Sequence, residues 1–235
     1  MEIIPVEQRG YAHPELIAET SWLATHISDD NIRIIDARSS EDYDESHIEG
    51  AVNLSGFRGI PRTESGELGD PEIFSEIASN LGISNNTTVI VYDTPSQMMG
   101  TVAWAFLYYG HSKTKILDGG INKWISEGNT VSKTIPEYPK TSFKAELVKS
   151  IYCSLADAKK GVTDTNTVFW DTRSLGEYEG STPIGKTPPG RIPGAVHLEW
   201  VELFDKETKT LKSSDELNHL LLSKGITPEK VVNSY

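Results

Sequence analysis

Two short blocks carry residue types suited to a strand-end site, Asp36-x-Arg38-Ser39 and Asp171-x-Arg173-Ser174, each after an apolar run. A carboxylate at such a turn can accept backbone N–H groups, and an arginine two residues on can pair with it. That chemistry is mainly structural. Cys153 is the one cysteine, so the chain can form no internal disulfide and no zinc site built on two or more cysteines. It precedes a helix starting near Ser154 and is read as a small buried residue. His47 and His197 have no partner at metal-ligand spacing, so no metal site is expected. Gly-x-Gly-x-x-Gly does not occur, and the one Gly-Lys-Thr, at 185–187, is followed by Pro188-Pro189 in a Gly/Pro-rich stretch rather than by a helix, so nucleotide binding is unsupported and no cofactor is expected. The Met98-Met99 pair is read as capping a buried helix rather than binding a cofactor.

The two blocks belong to an internal repeat. Residues 34–54 and 169–198 both run apolar-apolar-Asp-x-Arg-Ser, then a Glu and a Tyr, then Ile-x-Gly-Ala-Val-x-Leu. Asp36 lies 14 residues before Gly50, and Asp171 lies 23 before Gly194, so the second copy carries nine extra residues in a Gly/Pro-rich stretch. The copies stay in step beyond this point. Gly50 to Gly82 spans 32 residues and Gly194 to Gly225 spans 31, and each of those last glycines precedes a tyrosine, Tyr92 or Tyr235, by 10. Four landmarks in one order at matching spacing indicate two copies of one domain, 1–128 and 148–235. The segment 129–147, polar and with two prolines, is expected to be a linker.

The elements that must position these blocks read as α/β. Short apolar runs rich in β-branched residues at 32–36, 88–93, 115–118 and 167–171 predict strands. Amphipathic patterns at 14–25 and 71–81, each with a proline near the first turn, predict helices. Residues 99–109 are apolar nearly all round and predict a buried helix. Strands alternating with helices imply a mainly parallel sheet covered on both faces, in which ligands bind beyond the carboxyl ends of the strands.

Composition bounds the function. Lys and Arg number 22 against 34 Asp and Glu, a net charge of −12, which argues against a nucleic-acid partner because phosphate contacts need clustered cations. No stretch approaches the roughly 20 apolar residues of a membrane span, and residues 1–10 lack the apolar run of a signal peptide. The expectation is a cytoplasmic protein with no membrane partner.

The Asp-x-Arg-Ser…Gly-Ala-Val-x-Leu blocks, with Val-Ile-Val-Tyr-Asp at 89–93 and Leu-Asp-Gly-Gly-Ile-Asn-Lys-Trp at 117–124, resemble the rhodanese homology domain. Their tandem arrangement resembles the two-domain thiosulfate and 3-mercaptopyruvate sulfurtransferases over nearly the whole chain. The resemblance implies an α/β fold of two rhodanese-like domains, each a mainly parallel sheet flanked by helices. It also implies a cysteine in the second copy, on a loop between a strand and a helix. Amide groups and the helix start would lower that thiol's pKa. The cysteine would take the outer sulfur of a donor and pass it, as a persulfide, to a thiol or cyanide.

In the first copy the residue after Tyr92 is Asp93, which cannot hold a persulfide, so 1–128 resembles the family's non-catalytic domain. In the second copy the corresponding residue would follow Tyr235. The second domain is therefore expected to be incomplete as it stands, cut off before its active-site loop, with the catalytic cysteine directly after Tyr235. None of the 235 residues is then itself the catalytic one.

The family also suggests binding residues. An anionic donor needs cations near the thiolate, and the nine-residue insertion supplies Lys186, with Arg191 following beside Gly194. In mercaptopyruvate enzymes of the family two arginines hold the substrate; the matching positions here are Glu177 and Lys186, and the acid favours thiosulfate. Trp200 falls where the family places an aromatic wall beside the cysteine. Asp171 and Arg173 are read as structural at the site. Two rivals stand beside this reading. One is a non-enzymatic rhodanese-like module for binding or sulfur-carrier docking. The other is a phosphatase of the same fold, which needs a cysteine loop one residue longer and ending in arginine, and the chain has none.

Overall fold

The computed structural model describes residues 3–56, 58–64, 66–94, 98–183 and 189–235. The chain divides into two compact units, Met1–Ile151 with Glu207–Thr210, and Tyr152–Lys206 with Leu211–Tyr235.

The first unit runs β1 (Ile17–Ala18), α1 (Thr20–His26), β2 (Ile32–Asp36), α2 (Ser40–Glu45), β3 (His47–Ile48), β4 (Val52–Asn53), α3 (Pro71–Asn80), β5 (Thr88–Tyr92), α4 (Met98–Tyr108), β6 (Thr114–Leu117), α5 (Gly120–Ser126) and β7 (Val131–Ser132). Five strands make a parallel sheet in the order β1-β6-β5-β2-β4. β3 and β7 pair antiparallel apart from it. The two central strands are β-branched, and every residue from Ile32 to Asp36 is buried, as expected for a sheet covered on both faces. Helix α4 explains its all-round apolar pattern: Met99, Val102, Ala103, Ala105 and Phe106 are all buried. Helix α3 starts where the Asp70 carboxylate accepts from the Glu72 amide at 2.7 Å with Pro71 in the first turn, and its Phe74 is fully buried. Burying one such ring contributes about 1.5–3 kcal/mol.

Two expectations meet differences here. The pattern at 14–25 is not one helix: Pro14–Leu16 form a 3-10 turn, Ile17 and Ala18 pair with Ile116 and Leu117 as β1, and the helix begins at Thr20. Pairing at the sheet edge outcompetes a helical turn that proline had already shortened. The segment 129–147 lies within the first unit and is fastened along its length. Tyr138 stacks on Arg33 at 3.2 Å and donates to the Gly50 carbonyl, the Thr141 amide donates to Ser79, and Phe143 is buried against Phe74 and Phe106.

The second unit holds α6 (Leu155–Gly161), β8 (Thr167–Asp171), α7 (Leu175–Glu179), β9 (Val196–His197), α8 (Ser214–Ser223) and β10 (Val231–Ser234). Its strands are parallel in the order β10-β8-β9. β8 matches β2, and β10 matches β5. Their surroundings differ. Val89 to Tyr92 of β5 are fully buried between β2 and β6, whereas Val231 and Val232 of β10 are 53% and 39% exposed. Among the described residues, no helix is long and apolar enough to cross a membrane.

Candidate active site

The Asp-x-Arg blocks sit where β2 and β8 end, and the sequence dictates their shape. In the first unit the Asp36 Oδ1 accepts from the Arg38 amide and Nε, both at 3.0 Å. Its Oδ2 accepts from Arg38 Nη2 and from the Tyr92 hydroxyl, both at 2.6 Å. The carboxylate is fully buried, and it is saturated. Arg38 Nη2 goes on to donate to the Ser46 carbonyl at 2.5 Å, and Tyr92 Oη accepts the Ile48 amide at 3.0 Å. Burial and the neighbouring Asp36 push the Tyr92 hydroxyl well above its ordinary range, so it stays a donor.

The second unit repeats most of this network. Asp171 Oδ1 accepts the Arg173 amide at 3.1 Å and Nε at 2.9 Å, and Oδ2 accepts Nη2 at 2.5 Å. Arg173 Nη2 donates on to the Gly190 carbonyl at 2.9 Å, and Tyr235 Oη accepts the Ile192 amide at 3.1 Å. Thr172 N donates to the Tyr235 carbonyl as Ala37 N does to Tyr92. His197 Nε2 donates to the Arg173 carbonyl at 2.8 Å, where Asn53 does so to Arg38 at 3.1 Å. Burial opposes the charge on Asp171, but hydrogen bonds from Arg173 and Tyr235 outweigh it and hold the carboxyl below its ordinary range.

This register makes Arg191 the counterpart of His47. The His47 ring stacks on Tyr43 at 3.9 Å with Nδ1 2.8 Å from the Tyr43 carbonyl. The Arg191 guanidinium lies over Tyr178 at 4.2 Å and donates from Nη1 to the Tyr178 carbonyl at 3.0 Å. The two seats differ in what surrounds them. His47 is fully buried, with Nε2 3.0 Å from the Thr134 carbonyl, whereas Arg191 is exposed.

The first unit also displays the seat that would hold a nucleophile. Asp93, directly after β5, is buried, and its Oδ2 accepts the Met99 amide at 2.8 Å at the start of α4. An anion placed there meets an unsatisfied amide and the positive end of the helix dipole. The Asp93 carbonyl accepts the Ile121 amide at 3.0 Å, an approach that requires Gly120, whose φ is +56° and whose Cβ would strike that carbonyl.

Lys186 lies outside the described residues. Trp200 opens the 3-10 turn Trp200–Leu203, half-buried, its amide donating to the Thr172 carbonyl at 3.0 Å, so the main chain brings it to the end of β8. Glu177 closes a capping box: it accepts the Ser174 amide at 2.9 Å and hydroxyl at 2.6 Å, which hold its carboxyl below the ordinary range. Cys153 is half-buried rather than buried, and burial followed by Asp157 pushes its thiol up, the opposite of activation. The tyrosine hydroxyls of 92 and 235 escaped the sequence, although both residues already stood out as spacing landmarks. Among the described residues, no cluster of three or more His, Cys, Asp or Glu could hold a metal ion.

Comparison with known proteins agrees with this architecture. Residues 19–127 match the family model described as rhodanese-like domain. The sulfur carrier protein TtuD of Thermus thermophilus is 30% identical over 241 residues, covering 96% of this chain and 84% of the relative. A thiosulfate sulfurtransferase of Corynebacterium glutamicum is 28% identical over 204 residues, covering 81% and 67%. The crystal structure of SseA from Escherichia coli, described among 3-mercaptopyruvate sulfotransferases, superposes with a TM-score of 0.83 at 25% identity, covering 93% of this chain and 87% of that one. A doubled strand-end turn, a sheet of this topology and relatives of this kind lead to one assignment: the chain belongs to the rhodanese family, among its tandem-domain sulfurtransferases.

Proposed function

We propose that the protein is a thiosulfate sulfurtransferase whose nucleophile is a cysteine directly after Tyr235 in the natural chain. Its thiolate attacks the outer sulfur of thiosulfate, the S–S bond breaks, and sulfite leaves with the bonding electron pair. The resulting persulfide gives its outer sulfur to cyanide or a thiol, and the thiolate returns. With 3-mercaptopyruvate as donor the leaving group would be the pyruvate enolate. The observation that carries this reading is the shared hydrogen-bond pattern of the Asp171 and Asp36 turns. It sets the residue after Tyr235 in register with Asp93, whose charge the start of α4 already holds. Asp93 makes the first copy non-catalytic.

Thiosulfate is the favoured donor because Glu177 stands where mercaptopyruvate enzymes of the family carry an arginine, and its carboxylate is committed to Ser174. Arg191 and Trp200 are assigned to donor binding, with Lys186 a further candidate in the insertion. Asp171 and Arg173 hold the turn. The partners are then a small anionic donor and a thiol or cyanide acceptor in the cytoplasm. The Thermus thermophilus relative, a sulfur carrier protein, favours a second reading in which the persulfide is handed to another protein. A thiocyanate assay on the full-length protein with thiosulfate and cyanide tests the proposal. Turnover supports it, and no thiocyanate from either donor defeats it.

A further inference from the structure

We infer that Tyr235 is a positioning residue for the donor, acting through Arg191; this rests on the assignment of Arg191 above. Arg191 is bracketed. On one side the Arg173 guanidinium donates to the Gly190 carbonyl at 2.9 Å, and on the other the Tyr235 hydroxyl accepts the Ile192 amide at 3.1 Å. The Asp171 carboxylate takes Nη2 of Arg173 at 2.5 Å, and the Arg173 guanidinium lies 5.3 Å from the centre of the Tyr235 ring, so the two bracket groups stand side by side. Arg173 and Tyr235 thus tie the backbone on the two sides of Arg191 to the ends of β8 and β10.

The first unit shows what the bracket does when no donor need be bound. There Arg38 holds the Ser46 carbonyl and Tyr92 holds the Ile48 amide, and the bracketed residue is His47. His47 is buried, and both its ring nitrogens face main-chain carbonyls. Arg191 keeps the same aromatic seat and the same tyrosine carbonyl, but it is exposed. Among the described residues, that carbonyl is the one acceptor its guanidinium meets. A guanidinium has five N–H donors, so among the described residues most of the fork meets no protein acceptor and can serve an anion. The second copy has turned a closed structural seat into an open cationic one and kept the clamp that fixes it.

The test uses the full-length protein in the thiosulfate:cyanide assay, with Tyr235→Phe against the matched control Tyr92→Phe. Losing one hydrogen bond of this kind predicts a rise in KM for thiosulfate of roughly three- to tenfold in Tyr235→Phe, with kcat within about twofold. Tyr92→Phe should leave both constants unchanged. Amide exchange at Ile192 should quicken in Tyr235→Phe, and that at Ile48 in Tyr92→Phe. Arg191→Gln should also raise KM, and adding Tyr235→Phe to it should raise KM little further, because both act through one group. An unchanged KM in Tyr235→Phe, an equal rise in Tyr92→Phe, or additive effects with Arg191→Gln would overturn the inference. A wild type that turns over no donor instead removes the sulfurtransferase reading and the role of Arg191 with it, while Ile192 exchange still decides whether the bracket exists.

Discussion

The twin Asp–Arg turns allow one energetic claim to be tested against itself. Asp36→Asn keeps the side chain's shape and removes its charge. The Asp36 carboxylate is fully buried and the Arg38 side chain 9% exposed, so the variant strands a guanidinium with little access to water. Removing one partner of such a pair costs about 3–5 kcal/mol. At the second turn Asp171 is equally buried, but Arg173 is 23% exposed, and water can solvate part of the orphaned charge. Asp171→Asn should therefore cost less, about 2–3 kcal/mol. Urea titration read by amide exchange at Val91 for the first unit and Phe169 for the second separates the two losses. With about 2–4 °C per kcal/mol for units of this size, Asp36→Asn should lower the melting temperature of the first unit by about 6–20 °C. The double variant Asp36→Asn with Arg38→Met should recover much of this, because it removes the stranded charge along with the pair. Losses below about 1 kcal/mol in both single variants would match an exposed ion pair and refute the reasoning, as would a larger loss at Asp171 than at Asp36.

Further outcomes follow from the same contacts. Because the Asp171 carboxyl is held below its ordinary range, its stabilisation is fully present above the unfolded value of about 3.9 and is lost as pH falls through the lower folded value. Urea midpoints of the second unit should therefore drop between about pH 5 and pH 2, and Asp171→Asn should flatten that slope; an unchanged slope would remove the charge from the account. Gly120→Ala should destabilise the first unit by at least about 1–2 kcal/mol, since φ there is +56° and the new Cβ meets the Asp93 carbonyl. A neutral result in chemical denaturation would mean that the β5–α5 approach is looser than described. Ser174→Ala should cost about 1 kcal/mol through the lost cap of α7, read in the same way, and a cost near zero would leave the Glu177 capping box without weight.

Much of this site could be read from the chain because local chemistry governs it. The Asp-x-Arg-Ser blocks specify a strand end, a turn and a helix cap within four residues, and both copies form as that pattern requires. Helix α4 was legible because eleven apolar-rich residues admit few other fates. What escaped depends on partners far away in sequence. Ile17 and Ala18 leave the helical pattern because Ile116 and Leu117 offer a sheet edge. The polar, proline-bearing segment 129–147 reads as a linker, yet Tyr138 finds Arg33 and Phe143 finds the Phe74 cluster. The equivalence of His47 and Arg191 was invisible as residue types, since one is an imidazole and the other a guanidinium. It emerges only from the tyrosine beneath each and the bracket around each.

The most direct test is a mass measurement on the full-length protein after incubation with thiosulfate and removal of excess donor. One added sulfur atom is expected, localised by peptide fragmentation to a cysteine directly after Tyr235 and discharged by cyanide as thiocyanate. A different amino acid at that position, or added sulfur found on Cys153 instead, would contradict it.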